Sequence, residues 1–163
     1  MDEAKLQLLI DKAEISDVQL RYATGLDTRD WALFQTCFTD EFEADFTSVF
    51  GGSVQRVSAA RWAESARRTL SGLAATQHII TNHVITVDGD KALCVAYVQA
   101  QHYLPNDQGE STQTMGGYYT NHLVRTKVGW RIASCKLTLT WNKGNWGIFA
   151  LAREQMNKLG EAK

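Results

Sequence analysis

The sequence predicts an α+β domain in which helices come first and a mostly antiparallel sheet follows. Apolar residues recur at helical spacing through the first seventy positions. After Ala75 the chain becomes rich in Ile, Val and Thr, and short turns such as Asp88-Gly89-Asp90 separate long stretches of strand character. A length of 163 residues fits one domain, which we place at residues 1–163.

Three helices are predicted in the first half of the chain. The apolar spacing favours a first helix from Leu6 to Gly25, where the glycine is expected to end or bend it. Asp30 is suited to cap a second helix at 31–38, and Ser58 a third at 59–71. A terminal amphipathic helix is predicted at 149–159.

The strands begin with a short segment at 42–46, followed by a hairpin-like turn at 50–53. Four long strands then form a meander, predicted at 78–87, 91–104, 115–127 and 130–141. Long strands with bulges curl, so we expect the N-terminal helices to cover the concave side. The result would be a cup whose partly filled interior accepts a ligand.

Composition excludes several classes of function. The net charge is −1 and 21% of residues are charged, so the chain lacks the basic surface of a nucleic-acid-binding protein or of a membrane-surface protein. No apolar run reaches the length of a membrane span, and the charged N-terminus is not a signal peptide. The three widely spaced cysteines are predicted to be free, buried thiols, which points to the cytoplasm. The expected partner is a small molecule or a second copy of the chain.

The four histidines do not follow any metal-binding spacing, so we predict neither a metal site nor a cofactor. His78 and His83 are five positions apart and would face opposite sides of a regular strand. On the strand at 91–104, small apolar residues share one face that ends at His102. That face either leaves room for a ligand, with His102 as its polar group, or packs as core with His102 at the solvent rim.

Asp27 and His78 could together form an active centre, although from the residues alone their ordinary interpretations are favoured. Asp27 follows the first helix, and His78 lies where the third helix leads into the first long strand, so both are expected at the mouth of the cup. A histidine is suited to proton transfer near neutral pH, and a carboxylate fixes its tautomer. Each also has an ordinary interpretation, Asp27 as a turn residue and His78 as a hydrogen-bonded histidine at a strand edge.

Three parts of the chain resemble SnoaL-like proteins of the NTF2-like superfamily. They are the stretch at 15–31 with Phe38-Thr39-Asp40-Glu41, the stretch at 76–83 that runs into 87–92, and the strand pair at 117–125 and 129–132. The resemblance covers nearly the whole chain in the expected order. It implies a cone-shaped α+β barrel around a deep, largely apolar pocket.

The resemblance also implies site residues. Members such as scytalone dehydratase and lindane dehydrochlorinase use an Asp–His dyad, at positions that Asp27 and His78 match. It suggests Tyr22 on the first helix and His102 as further catalytic residues. We expect Tyr119 and Trp141 to line the pocket and to contact substrate.

The resemblance to a family that also includes bile acid 7α-dehydratase and steroid isomerases implies a cofactor-independent lyase or isomerase. His78 would abstract a proton from a small, hydrophobic, cyclic substrate, Asp27 would orient its ring, and Tyr22 or His102 would donate a hydrogen bond. The alternatives are a polyketide cyclase that performs an aldol closure in the same pocket, and a non-catalytic binding or assembly module. A homo-oligomer, dimer or trimer, is expected in each case.

Overall fold

The computed structural model describes residues 2–161, and their order of helices and strands is that of an α+β protein. The helices are α1 (Glu3–Thr28), α2 (Trp31–Gln35), α3 (Thr47–Phe50), α4 (Ala59–Leu70) and α5 (Ile148–Glu161). The strands are β1 (Phe38–Asp45), β2 (Gln55–Ser58), β3 (Ala75–Asp88), β4 (Lys91–Tyr103), β5 (Thr112–Thr126) and β6 (Gly129–Gly144). No helix among residues 2–161 combines the length and the hydropathy needed to cross a membrane.

One curved, unclosed sheet holds all six strands in the order β2-β1-β6-β5-β4-β3. The strands β3 to β6 form the predicted antiparallel meander, while β1 pairs with β6 in parallel. The predicted fold class is confirmed. The hairpin-like turn is built by α3 and two glycines with positive φ, Gly51 and Gly52, which connect the antiparallel strands β1 and β2.

The helix starts follow the predicted caps. The carboxylate of Asp30 accepts the backbone N–H of Leu33 at 2.9 Å, and the hydroxyl of Ser58 accepts that of Arg61 at 3.3 Å. Gly25 does not end α1, because the helix continues to Thr28. A Cβ at Gly25 would lie within 2.9 Å of Phe34, so this glycine lets α2 pack against α1.

The concave side of the sheet carries the core. The predicted inner face of β4, from Ala92 to His102 at every second residue, is buried throughout, and the other face is largely open. The three cysteines are free and buried, as predicted. Residues of α1, including Ile15, Val18 and Tyr22, pack against this concave surface.

Candidate active site

Asp27 and His78 form a hydrogen-bonded pair between the last turn of α1 and the start of β3. The ring Nδ1–H of His78 donates to Oδ1 of Asp27 at 2.7 Å, and the backbone N–H of His78 donates to Oδ2 at 2.7 Å. The His78 side chain is 4% exposed and that of Asp27 is 23% exposed. Because the carboxylate accepts the Nδ1 proton, the lone pair of neutral His78 is at Nε2.

A second chain of hydrogen bonds, from Arg29 through Thr76, holds the Asp27 carboxylate in place. Nη1 of Arg29 donates to Oγ1 of Thr76 at 2.7 Å and to the carbonyl of Leu26 at 2.6 Å. The Thr76 hydroxyl proton is therefore free to point at Asp27, whose Oδ1 lies 2.9 Å away. Arg29 reaches this position from the left-handed conformation (φ 62°) that ends α1.

Asp27 is held in its ionised form. Partial burial acts to raise the pKa of its carboxyl, but the hydrogen bonds from the ring and backbone of His78 and from Thr76 outweigh burial and lower the pKa below its ordinary value. An ionised Asp27 can orient the imidazole and stabilise the imidazolium that forms when Nε2 takes a proton.

A cavity of about 120 Å³ lies under the curved sheet and is mostly apolar. Its polar lining residues are His78, His102, Tyr22, Tyr119, Ser65 and Thr69, and Asp27 stands behind His78. Aromatic and aliphatic side chains supply most of the remaining wall: Leu26, Phe34, Phe46, Phe50, Trp62, Ala66, Leu70, Met115, Leu137 and Phe149. The structure thus brings four of the six predicted site residues to the wall of one cavity and places a fifth, Asp27, directly behind His78.

Tyr22 and Tyr119 form the second polar group of the cavity. Their hydroxyl oxygens are 3.2 Å apart, and the two residues are 4% and 3% exposed. Burial raises the pKa of both phenols, so both stay protonated at neutral pH. One hydroxyl donates to the other, which leaves one phenolic proton available to an oxygen atom of a ligand.

His102 does not lie at the solvent rim. It is 2% exposed, because the ring of Phe149 on α5 packs against it at a centroid distance of 4.8 Å. Its Nδ1 is 2.9 Å from Oε1 of Gln113 on β5, and its ring is 5.6 Å from that of His78. Burial and the nearby His78 lower the pKa of His102 to about 4, against the opposing effect of Gln113. Sequence reasoning missed Gln113, because only the β4–β5 register places it opposite His102.

The expectation that Trp141 lines the pocket is wrong. Gly116 pairs with Trp141 and Gly117 pairs with Leu139, so Thr140 is the extra residue of a β-bulge. The bulge shifts the alternation of side chains, and Trp141 lies on the outer face over Gly116, 48% exposed.

The prediction that His78 and His83 face opposite sides of their strand is also wrong. The β3–β4 register shifts between Thr81 and Val84, and Asn82 has a φ of 55°. This irregularity turns His83 toward α1, where its Nδ1 is hydrogen-bonded to the hydroxyl of Ser16 at 2.8 Å. Both histidines therefore contact α1, but His83 is not among the residues that line the cavity.

Comparison with known proteins gives a family and several fold neighbours. The SnoaL-like domain matches residues 7–136. The structure of Kfla4162 from Kribbella flavida is 35% identical, with 90% of this chain and 99% of that chain covered and a TM-score of 0.82. No match is found among curated proteins.

Two more distant structures share the fold. A hexachlorocyclohexane dehydrochlorinase is 19% identical over 88% of this chain and 94% of its own, with a TM-score of 0.71. A putative scytalone dehydratase from Novosphingobium aromaticivorans is 18% identical, with 89% of this chain and 92% of that chain covered and a TM-score of 0.70. At these identities the likeness concerns the fold alone.

Proposed function

The chain belongs to the SnoaL-like family, and we propose that it is a cofactor-independent lyase or isomerase acting on a small, apolar, cyclic substrate. The observation that carries this proposal is the Asp27–His78 pair, whose free ring nitrogen belongs to a residue lining an apolar cavity. The two distant fold neighbours are named for eliminations, a dehydrochlorination and a dehydration, and both reactions begin with removal of a proton from carbon.

His78 is the general base of the proposed reaction. Nε2 takes a proton from carbon, and the electron pair of the broken C–H bond forms a double bond. In an elimination this double bond expels the leaving group, and in an isomerisation the imidazolium returns the proton to another carbon. Asp27 stabilises the imidazolium through the 2.7 Å hydrogen bond to Nδ1.

The tyrosine pair is suited to the oxygen atom of the substrate. A carbonyl or a departing hydroxyl gains negative charge as the proton leaves, and a preorganised donor in a dry site stabilises that charge. The free phenolic proton of Tyr22 or Tyr119 is such a donor. This pair, together with the dyad, favours a substrate with an acidic C–H near an oxygen atom.

Exchange of α protons tests the common first step without knowledge of the natural substrate. We expect the protein to accelerate deuterium incorporation into cyclohexanone in D2O, followed by NMR. A cavity on the order of 150 Å³ holds a six-membered ring such as benzene, so cyclohexanone is matched in size to this site. His78→Phe should abolish the acceleration, while His122→Phe, which alters an exposed histidine of β5, should retain it.

The result also separates the alternatives. Exchange without elimination or isomerisation on a substrate panel would favour an aldol cyclase of the polyketide type, because it begins with the same proton transfer. Binding of cyclohexanone with no exchange above the His78→Phe background would contradict the proposal and favour a non-catalytic binding module.

We also propose that the protein self-associates through the outer face of its sheet. A depression on this face is lined by residues of β3 to β6, none of them charged. Ile79, Tyr97 and Trp141 are 47%, 58% and 48% exposed there. An uncharged depression suits a second copy, because two such depressions meet without like-charge repulsion. Sedimentation of the wild type and of Tyr97→Glu tests this, and a monomeric wild type would contradict it.

A further inference from the structure

The two cavity histidines are held in the same way, each by a residue behind its Nδ1. Asp27 accepts from Nδ1 of His78, and Oε1 of Gln113 lies 2.9 Å from Nδ1 of His102. Among residues 2–161 neither ring has a hydrogen-bond partner at Nε2. The lone pair of each neutral imidazole is at Nε2 when Nδ1 carries the proton. The cavity would then have two acceptors side by side, on rings 5.6 Å apart.

Gln113 is placed to decide the tautomer of His102. It is fully buried and lies directly opposite His102 in the β4–β5 register, so strand pairing fixes its position. Both the side chain and the backbone of Gln113 act to raise the pKa of His102, as acceptors of its ring proton do. An amide oxygen can only accept, so the 2.9 Å contact of Oε1 with Nδ1 favours a proton on Nδ1.

A buried acceptor without a donor is costly, so the ligand should supply one. Under the proposed function, Nε2 of His78 faces the C–H bond whose proton it removes. The tyrosine pair supplies a donor for an oxygen atom of the ligand. Of the two acceptor nitrogens, His102 Nε2 is therefore left for a donor group of the ligand. A hydroxyl group beside the reacting carbon would satisfy this neutral acceptor.

We propose that Gln113 is a positioning residue that fixes His102 as a hydrogen-bond acceptor, and that the site selects substrates with a hydroxyl group donating to His102 Nε2. This reverses the donor role that the sequence suggested for His102. The adjacency of that hydroxyl to the reacting carbon rests on the proposed function. The tautomer and the preference for a hydroxyl do not.

The tautomer is tested by NMR of protein labelled with 15N in histidine. We expect the ring signals of His102 to report a proton on Nδ1 and a bare Nε2, with assignment by their loss in His102→Phe. Gln113→Glu keeps an acceptor beside Nδ1 and should keep this tautomer, whereas Gln113→Leu should move the population toward Nε2–H. A wild-type His102 with its proton on Nε2 would overturn the proposal.

The ligand preference is tested with phenol and with anisole, in which a methyl group replaces the hydroxyl proton. We expect phenol to bind the wild type about tenfold more tightly, the effect of one buried neutral hydrogen bond. His102→Phe should abolish this preference, Gln113→Leu should reduce it, and Gln113→Glu should retain it. The 15N–1H spectrum of each variant checks that it is folded.

His78→Phe distinguishes the two acceptors of the cavity. It should remove proton exchange into cyclohexanone and keep the preference for phenol. Equal affinities of the wild type for phenol and anisole, or a preference that survives His102→Phe, would contradict the hydroxyl site. Lack of proton exchange in the wild type, with the phenol preference intact, would contradict the proposed function alone.

Discussion

The two ends of α1 each carry a carboxylate tied by several hydrogen bonds, but the partners differ in kind. Asp11 near the N-terminal end meets the guanidinium of Arg125, while Asp27 in the last turn meets the imidazole of His78. Arg125 is permanently charged, so its pair with Asp11 cannot take or release a proton near neutral pH. His78 can take and release a proton near neutral pH, and it lines the cavity. The same carboxylate chemistry therefore serves stability at one end and proton transfer at the other.

The Asp11 end is a closed ion-pair cluster. Arg125 binds both carboxylate oxygens at 2.6 and 2.8 Å, and its Nε donates to Asp90 at 2.9 Å. The guanidinium also stacks 4.5 Å from the ring centre of Trp130, whose Nε1–H donates to Asp11. The hydrogen bonds from Arg125 lower the pKa of Asp11 to about 2, although burial acts to raise it.

The largest expected effect is on catalysis and concerns only the Asp27 end. Asp27→Asn should slow proton exchange into cyclohexanone by roughly 10²–10⁴, because the imidazolium loses its carboxylate and the tautomer of His78 is no longer fixed. Asp11→Asn should leave exchange within about twofold of the wild type, on the view that a distant ion pair does not touch the reaction. Equal losses in the two variants would contradict this division of roles.

The next effect is on stability and concerns mainly the Asp11 end. Asp11→Asn should lower the free energy of unfolding by about 2 kcal/mol, because a partly buried pair is broken while Arg125, whose side chain is 31% exposed, keeps its charge. We expect Asp27→Asn to cost less than about 1 kcal/mol, since its neutral amide retains part of the hydrogen bonding. Urea unfolding at pH 7 measures both. The opposite ranking would show that the dyad is itself a structural element.

Acid should act on the two ends at different pH. His102 beside the dyad binds a proton near pH 4 in the fold, whereas an unfolded histidine binds one near 6.5. Between these values the unfolded chain binds more protons. The stabilisation from neutral His102 is therefore complete above pH 6.5 and is lost as the pH falls to 4. The stabilisation from ionised Asp11 is complete above pH 3.8 and is lost as the pH falls toward 2.

Urea unfolding across this pH range separates the two contributions. From pH 6.5 to 4 we expect the wild type to lose on the order of 2 kcal/mol. His102→Leu should remove most of that decline, whereas His122→Leu, which alters an exposed side chain, should not. A decline unchanged in His102→Leu would show that His102 does not titrate as its burial requires.

The smallest effects come from the neutral donors that support each carboxylate. Thr76 donates to Asp27 at 2.9 Å, and Gln7 donates to Asp11 at 3.1 Å. Thr76→Val should slow proton exchange about fivefold, the effect of one hydrogen bond worth about 1 kcal/mol. Gln7→Leu should change the free energy of unfolding by less than about 0.5 kcal/mol, because Gln7 is exposed. Full activity in Thr76→Val would show that the Thr76 hydrogen bond does not support the dyad.

Local pattern predicted most of the elements, because helix periodicity, caps and strand alternation are properties of neighbouring residues. The caps at Asp30 and Ser58 and the buried face of β4 follow from such short-range rules. Periodicity only made it possible that Asp27 and His78 meet under the sheet, and it was the family resemblance that favoured them over ordinary turn and edge residues. The resemblance likewise brought Tyr22 and His102 into consideration.

The errors arose where one residue interrupts an alternation. The extra Thr140 moves Trp141 to the outer face, and the irregularity at Asn82 turns His83 toward α1. A bulge depends on how two strands pair, so no pattern within one strand predicts it. The burial of His102 similarly depends on Phe149, a residue of the terminal helix.

The sequence by itself determined the fold class, the helix caps, the free cysteines and the inner face of β4, because each depends on residues close together in the chain. The tertiary structure alone decided the distances within the site. It aligned Asp27 with His78 across 51 positions, backed the carboxylate with Thr76, and set Gln113 against His102. Such contacts join distant segments, and only the packing of α1 and α5 on a curved sheet brings them within hydrogen-bond reach.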